Sequence, residues 1–254
     1  MPEADDDALQ LRRDRRQYLL ETETAGVTKR KLQNMAVLAE LPEYPCARHA
    51  YRVGKLSYLF ARQVGLNEDE AQAMALAGHL HDIGKIGVPR NLLAKSLGLS
   101  DIESEAVRTH TVNGEDLLSE YDGDHYRAAA SAARSHHERW DGSGHPDGLA
   151  GSAIPLAARI VSLAEAFDAM THDRPWRKAL PLPVALDQIR SEAGRQFDPA
   201  LVGPFIDCVE RLQQGQPDLE AFLSADAEGS DLVMLQARLA TALHSVAHEP
   251  NAHG

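Results

Sequence analysis

Residues 68–87 read EDEAQAMALAGHLHDIGKIG and give the first indication of the fold. The segment begins with acidic residues, continues with a long apolar stretch and breaks at glycine, as a helix with a defined end does. The same helical spacing of apolar residues recurs along most of the chain, and no convincing alternation of period two occurs. The sequence therefore predicts an all-α protein.

Nine further segments have helical spacing or helical start and stop signals. They are residues 9–23, 28–41, 47–65, 100–121, 125–140, 155–170, 182–194, 199–214 and 232–247. Ser100 and Glu103 have the spacing of a capping box, and we expect Pro155 in the first turn of its helix. Pro42 and Gly65 mark the ends of two others.

Composition limits the classes of function. The chain has 254 residues, 43% of them hydrophobic, and a formal net charge of −12. An acidic protein of this kind is not expected to bind nucleic acid polymers or anionic membranes. A local basic pocket can still hold a small anion. The start of the chain lacks the apolar core of a secretory signal, and no apolar run reaches the length of a membrane helix. Two cysteines, Cys46 and Cys208, are unsuited to a disulfide framework. We expect a cytoplasmic protein.

Histidines and acidic residues on separate predicted helices indicate a metal site. Helical bundles can direct such side chains inward to one point, and imidazole with carboxylate suits divalent iron, manganese, nickel or zinc. The candidates in chain order are His49, His81, Asp82, His110, His136, His137, Glu165 and Asp168. Single histidines on helices are more often packed or solvated than metal ligands. We assign that ordinary role to His79, His125, His172, His244, His248 and His253.

The two doublets, His81–Asp82 and His136–His137, suggest more than one ion. Neighbours on a helix diverge by about 100°, so each doublet is expected to serve two different ions, with Asp82 bridging them. Two ions about 3.5–4 Å apart are the arrangement used for phosphate ester hydrolysis.

Four motifs resemble those of the HD-GYP domain family, bacterial metal-dependent phosphodiesterases that act on cyclic di-GMP. They are HLHDIGKIGVP (79–89), HHERWDGSGHP (136–146), IPLAARIVSLAEAFDAMTHDRPWRKAL (154–180) and QFDPALV (196–202). The resemblance covers about residues 46–214 and implies a helical bundle of the HD superfamily with extra terminal helices. It also implies two divalent ions, with iron, manganese and nickel as candidates.

The resemblance also implies roles for individual residues. Lys85 and Asp82 are the implied catalytic residues, and Lys85 would contact the substrate phosphate or the attacking water. Asp168 is the second acid of the family's D-x-x-D-A element. The implied metal ligands are His81, Asp82, His110, His136, His137 and Glu165, with His49 at the position that binds a third ion in some members. The implied substrate contacts are Lys85, Arg174, Arg177, Gly144, His145 and Pro146.

Three positions depart from the family pattern. Members with three ions place a glutamate four residues before the first histidine, where this chain has Pro45. We therefore predict two ions, with His49 as a further ligand or as a hydrogen-bond donor behind the ligands. Glu165 stands in place of an aspartate, and His145 in place of the tyrosine that contacts substrate.

Three functions follow from the residues and the resemblance. The leading one is hydrolysis of cyclic di-GMP to pGpG, with further cleavage to GMP left open. The second is a low-activity or silent homologue that acts as a cyclic di-GMP sensor or signalling adaptor, and the third is hydrolysis of another nucleotide. We expect residues 1–45 to be a helical lead-in without a site, 46–214 the HD-GYP domain, and 215–254 an acidic linker with a C-terminal helix. The terminal helices are candidate surfaces for a homodimer or a signalling protein.

Overall fold

The computed structural model describes residues 26–41, 43, 48–95, 98–173, 177–230 and 232–234, and these residues form a bundle of helices. The all-α prediction is confirmed, since the described residues contain two isolated β-bridges and no strand. Residues 26–40 form helix α1. The others are α2 (His49–Gln63), α3 (Glu68–Leu80), α4 (Arg90–Leu93), α5 (Asp101–Arg108), α6 (His110–Ser119), α7 (Asp124–Ser135), α8 (Leu156–Thr171), α9 (Leu182–Ser191), α10 (Pro199–Gly215) and α11 (Leu219–Ser224).

Helices α2, α3, α7 and α8 surround the main core. The backbones of α2 and α3 approach closely because glycines face each other, and a Cβ on Gly78 would lie 2.9 Å from the carbonyl oxygen of Val53. Aromatic and aliphatic side chains fill the space between α2, α8 and α10, where the rings of Phe60 and Phe205 meet edge to face at 5.1 Å. This packing fixes the positions of the helix ends that carry the candidate ligands.

Three predicted helices are shorter than their sequence patterns. The helix predicted over residues 68–87 ends at Leu80, and a 3₁₀ turn follows over Ile83–Gly87. The segment 100–121 divides at Thr109, and the segment 125–140 ends at Ser135. In each case the candidate histidine lies at the break. The capping box of Ser100 and Glu103 is confirmed, whereas Pro155 is the residue just before the helix instead of part of its first turn.

Both ends of the domain contain more packed structure than the sequence pattern indicated. Leu32 and Ala36 of α1 belong to the main core. The stretch after residue 215, expected to be a loose linker, forms α11, which packs against α2 and buries Leu223. The predicted helix 9–23 and most of 232–247 lie outside the described residues. Among the residues that are described, no helix is both long and apolar enough to cross a membrane.

Candidate metal centre

The candidate ligands lie at the ends of helices that meet on one side of the bundle. His81 follows the last residue of α3, His136 follows the last residue of α7, and His110 and His49 are the first residues of α6 and α2. Because the doublets lie in turns and not inside helices, the divergence of 100° between helical neighbours does not apply to them. His136 and His137 can therefore approach the same point, which differs from the expectation that each would serve a separate ion.

Main-chain carbonyl groups orient three of these imidazoles. In each, Nδ1 donates a hydrogen bond to a carbonyl oxygen in the preceding turn, so that Nε2 is the nitrogen available to a ligand. The pairs are His81 with Gly78 (2.8 Å), His110 with Val107 (2.7 Å) and His136 with Ala133 (2.9 Å). Metal-binding histidines commonly have such a fixed tautomer and ring orientation.

His49 is oriented by a side chain. Its Nδ1 lies 2.6 Å from Oδ2 of Asp168, and Arg52 donates hydrogen bonds to both oxygens of the same carboxylate at 2.5 and 3.0 Å. All three side chains are buried. Burial alone would raise the pKa of Asp168, but the charges of Arg52 and His49 hold that pKa well below its usual range. The structure thus places Asp168 behind His49 and outside the three groups of candidate ligands described below.

We expect Asp168→Ala to lower the free energy of unfolding by about 3–5 kcal/mol, because it breaks the buried ion pair with Arg52 and the buried hydrogen bond with His49. Thermal denaturation of the metal-free protein measures the change. Asp226→Ala is the matched control, since Asp226 pairs with Lys55 at 3.1 Å while 61% exposed and should contribute about 1 kcal/mol or less. Equal effects of the two substitutions would contradict the assigned role of Asp168.

Within the described residues, the potential ligand atoms form three overlapping groups. In each group the atoms lie within 4.8 Å of one another. The groups are Asp82, His110, His136 and His137 (group one); Glu40, His49, His81 and Asp82 (group two); and His81, His136 and Glu165 (group three). Asp82, His81 and His136 are each shared by two groups, so the sites adjoin. All predicted ligands are present, and Glu165 belongs to a group despite its longer side chain.

Asp82 is the centre of this cluster. It is 1% exposed; its Oδ1 lies 3.3 Å from Nε2 of His110, and its Oδ2 lies 3.3 Å from Nε2 of His81 and 2.7 Å from Nζ of Lys85. Burial by itself would raise the pKa of Asp82, but Lys85 and His81 hold it well below the usual value. Asp82 is therefore charged and able to bridge two cations.

The same charges set the protonation of the cation and the imidazoles. Burial would lower the pKa of Lys85, but Asp82 and Glu43 raise it, and Nζ donates a hydrogen bond to each. Burial would likewise lower the pKa of His81, but the neighbouring carboxylate of Asp82 outweighs this effect and raises the pKa to about 10. Burial lowers the pKa of His110 to about 3. Metal binding at His81 must therefore release a proton, whereas His110 is already neutral.

The glycine-rich loop after His137 folds back against the ligands. Buried Glu138 accepts hydrogen bonds from the backbone nitrogens of Asp147 and Leu149, which closes the loop. A Cβ on Gly144 would lie 2.6 Å from the carbonyl oxygen of His137, so this close return requires glycine. The imidazole of His145 lies 4.9 Å from that of His137. The loop therefore forms one wall of the site.

The motif QFDPALV holds this loop from outside. The backbone nitrogen of Trp140 donates to the carbonyl oxygen of Gln196, and Arg139 pairs with Glu192 at 3.0 Å. Trp140 is half-buried and lies 5.9 Å from the guanidinium of Arg159. Asp198 caps α10 and also pairs with Arg159. The motif thus has a structural role near the site.

Only some of the predicted substrate-binding residues that the structure describes lie next to the candidate metal ligands. Lys85 lies beside Asp82, and Gly144, His145 and Pro146 lie on the loop next to His137. Arg177 is exposed and donates a hydrogen bond to the carbonyl oxygen of Ala169. Arg174 lies outside the described residues.

Glu40 and Glu43 are the residues of the site that the sequence analysis missed. Glu43 pairs with Lys85, and Glu40 is 2% exposed in group two. Burial raises the pKa of Glu40 to about 7. The available signal was the position of Glu40 on the apolar stripe of its helix, one and two turns after Ala36 and Leu32. The lead-in was expected to have no site, whereas the structure brings residue 40 into a group of potential ligands.

The histidines assigned to ordinary roles stay outside the three groups wherever they are described. His79 is buried against Tyr51, and exposed His125 pairs with Asp69 at 3.0 Å. His172 lies 3.2 Å from Oδ1 of Asp168. His244, His248 and His253 are not among the described residues.

The donor set fits divalent metal ions. Carboxylates and imidazoles that are buried or half-buried face one another, with the ligand atoms of each group within 4.8 Å, and thiolates are absent from the three groups. Oε1 of Glu40 has no hydrogen-bond partner among the described residues, although it is buried. Buried polar atoms of this kind need a partner, and a cation supplies one. Nitrogen and oxygen ligands suit iron, manganese, nickel or zinc.

Comparison with known families agrees with this geometry. The family model described as "HD domain" matches residues 27–201, which include α1 and every candidate ligand. The chain belongs to the HD domain family. Its relatives and motifs place it in the HD-GYP type, as the sequence resemblance implied. The expectation of an HD-type helical bundle is likewise confirmed.

Curated relatives of this HD-GYP chain include enzymes of cyclic dinucleotide metabolism. A cyclic di-GMP phosphodiesterase response regulator, RpfG of Xanthomonas campestris, is 38% identical over 76% of this chain and 50% of its own length. A cyclic di-GMP phosphodiesterase of Thermotoga maritima is 38% identical over 69% and 48%. A 3′3′-cGAMP-specific phosphodiesterase of Vibrio cholerae is 31% identical over 69% and 34%. The chain thus spans about half or less of the length of these relatives.

Solved structures share the fold. A cyclic GMP-AMP-specific phosphodiesterase of Vibrio cholerae aligns with a TM-score of 0.57 and 22% identity, over 80% of this chain and 53% of the other. An HD-GYP protein from Bdellovibrio bacteriovorus aligns with a TM-score of 0.52 and 20% identity, over 66% and 53%.

Proposed function

We propose that this chain is a metal-dependent phosphodiesterase that hydrolyses cyclic di-GMP to pGpG. The observation that carries the proposal is the convergence of buried imidazoles and carboxylates into three adjoining groups beside the buried cation of Lys85. The relatives named cyclic di-GMP phosphodiesterases support the substrate class. Predicted dimerisation or signalling partners and a cytoplasmic location stay predictions.

The residues of the site have two proposed roles: some would bind the metal ions, and others would place positive charge next to the substrate phosphate. Bound divalent ions would supply positive charge next to the phosphate and lower the pKa of a nearby water. Groups one and two would hold the predicted pair of ions, with Asp82 common to both. Each imidazole offers one ligand nitrogen and would serve one ion, and Glu165, which lies beside His81 and His136, would be a further ligand. Lys85, kept protonated by Asp82 and Glu43, adds a permanent positive charge for a phosphate oxygen. Arg174 and Arg177 remain proposed substrate contacts.

Hydrolysis to pGpG requires one bond to be exchanged. The oxygen of a water molecule forms a bond to phosphorus, the bond from phosphorus to a ribose 3′ oxygen breaks, and that oxygen takes up a proton. Negative charge increases on the phosphate oxygens during this exchange, and the cationic surroundings stabilise it. The loop with Gly144 and His145 bounds the side of the site where a nucleotide would lie.

A chromatographic time course tests the proposal. Protein purified without oxygen and loaded with Fe²⁺ or Mn²⁺ is expected to convert cyclic di-GMP to pGpG, and chelation followed by re-addition of metal should abolish and restore the reaction. Appearance of GMP would show a second cleavage. No product with either metal, from folded and metal-loaded protein, would contradict the proposal.

Two alternatives are separated by the same samples. Because some relatives are named 3′3′-cGAMP-specific phosphodiesterases, that nucleotide is included as a second substrate. Faster turnover of it would place this chain with those relatives. If neither nucleotide is hydrolysed, calorimetric titration with cyclic di-GMP distinguishes a sensor, which binds it, from an adaptor, which does not.

A further inference from the structure

Glu40 is a buried carboxylate in a segment that the motif pattern places outside the domain. It is the last helical residue of α1, is 2% exposed, and has an Oε1 without a hydrogen-bond partner among the described residues. A buried carboxylate without compensation is costly. A positive partner would stabilise its charged form.

Group two supplies the geometry of such a partner. Ligand atoms of Glu40, His49, His81 and Asp82 lie within 4.8 Å of one another, and all four residues are buried. The imidazoles of His49 and His81 meet at 5.4 Å between ring centroids, each with Nδ1 engaged by another acceptor. Two carboxylates and two imidazole nitrogens form a donor set for one divalent cation.

The carboxylate in this group comes from an unexpected place in the chain. The family pattern has its glutamate four residues before the first histidine, where this chain has Pro45. Glu40 lies nine residues before His49, on a helix instead of the connecting segment. The missing motif position therefore does not decide how many ions the chain binds.

We propose that Glu40 is a metal ligand, so that one divalent cation in group two joins helix α1 to the domain. The inference rests on the proposed function in taking groups one and two as the metal sites, and it adds Glu40 to the ligands of the second. Besides this ion, α1 is held by core contacts of Leu32 and Ala36. Binding of the ion and docking of α1 are consequently linked: each strengthens the other by the same factor. A segment attached before residue 26 can thereby act on the metal centre.

Metal content measures the ligand role directly. After loading with Mn²⁺ and desalting, the full chain is expected to retain two ions, in groups one and two, and Glu40→Gln one. Glu43→Gln is the matched control, because this neighbouring carboxylate belongs to none of the three groups, and it should retain two. Glu40→Asp, which keeps the charge, should retain more metal than Glu40→Gln.

Hydrogen exchange measures the link to α1. Addition of Mn²⁺ should slow exchange of the amides of residues 26–40 by about tenfold or more in the full chain, and by much less in Glu40→Gln. Far-ultraviolet circular dichroism of the metal-free proteins establishes that both are folded. Should Glu40→Gln fail to fold, the metal content and exchange of Glu40→Asp decide the question.

The outcomes also separate this inference from the proposed function. Two ions with a Glu40-dependent change in exchange, but no hydrolysis of cyclic dinucleotides, would support the site and contradict the activity. Hydrolysis with equal metal content in the full chain and Glu40→Gln would support the activity and overturn the site. A single ion in the full chain would also overturn it.

Discussion

Asp82→Asn is expected to lower kcat/KM for cyclic di-GMP by about a thousandfold or more. The substitution keeps the shape of the side chain and removes the charge at the point shared by groups one and two. A neutral amide is a weak metal ligand and offers only one oxygen, so it cannot bridge two cations as a carboxylate does. Steady-state hydrolysis and metal content, measured on the same protein, should fall together.

Asp69→Asn is the matched control for this experiment. Asp69 lies in the first turn of α3, the helix that precedes Asp82, is exposed, and pairs with His125 at 3.0 Å. Its replacement should leave kcat/KM within about twofold, because exposed pairs contribute little. If Asp82→Asn keeps its metal and remains within tenfold of the unsubstituted protein, Asp82 is not the bridging ligand.

Gly84→Ala is expected to destabilise the protein by about 3 kcal/mol or more, through steric overlap in the core. A Cβ at this position would overlap the carbonyl oxygen of His110 and the backbone nitrogen of Gly114, and would lie 2.9 Å from the Cα of Gly114. These are backbone atoms, so relief requires movement of α6 away from the 3₁₀ turn. Such movement would separate His110 from Asp82, and activity should decrease with stability.

Gly215→Ala provides the opposite control. Gly215 is the last residue of α10, and outside its chain neighbours a Cβ there meets no atom within 4 Å. Alanine should leave the free energy of unfolding unchanged or raise it by up to about 1 kcal/mol, since glycine is a poor helix former. Chemical denaturation of the metal-free proteins compares the two substitutions. A loss of less than 1 kcal/mol in Gly84→Ala would show that α6 can shift without cost.

The sequence was sufficient for the helical fold and for most candidate ligands. Apolar spacing identified the helices of the core. The doublets His81–Asp82 and His136–His137 were identified as candidate metal ligands because helix packing does not account for such polar pairs. Glu165 was identified by its place in a motif, and the structure brings it to His81 and His136. These residues were predictable because local patterns reveal them.

Features that depend on distant parts of the chain could not be predicted in this way. The helices predicted to run past the first residue of each doublet end at Leu80 and Ser135. The candidate ligands that follow lie in turns. Glu40 reaches the site through the packing of α1. Its place on the apolar stripe indicates burial, but no motif indicates a role at the metal centre. Arg139 and Glu192 pair across the fold, and no sequence pattern connects them.

The hydrogen bonds made by Nδ1 of the imidazoles determine which substitutions can change the orientation of the rings. His81, His110 and His136 are held by main-chain oxygens, and every residue type supplies the same oxygen. Neighbouring side chains can therefore change freely during evolution without turning these three rings. Of these four imidazoles, His49 is the one that the described residues hold through a side chain, the carboxylate of Asp168. Divergence among descendants of this domain should therefore alter the ligand contributed by α2 before it alters the others.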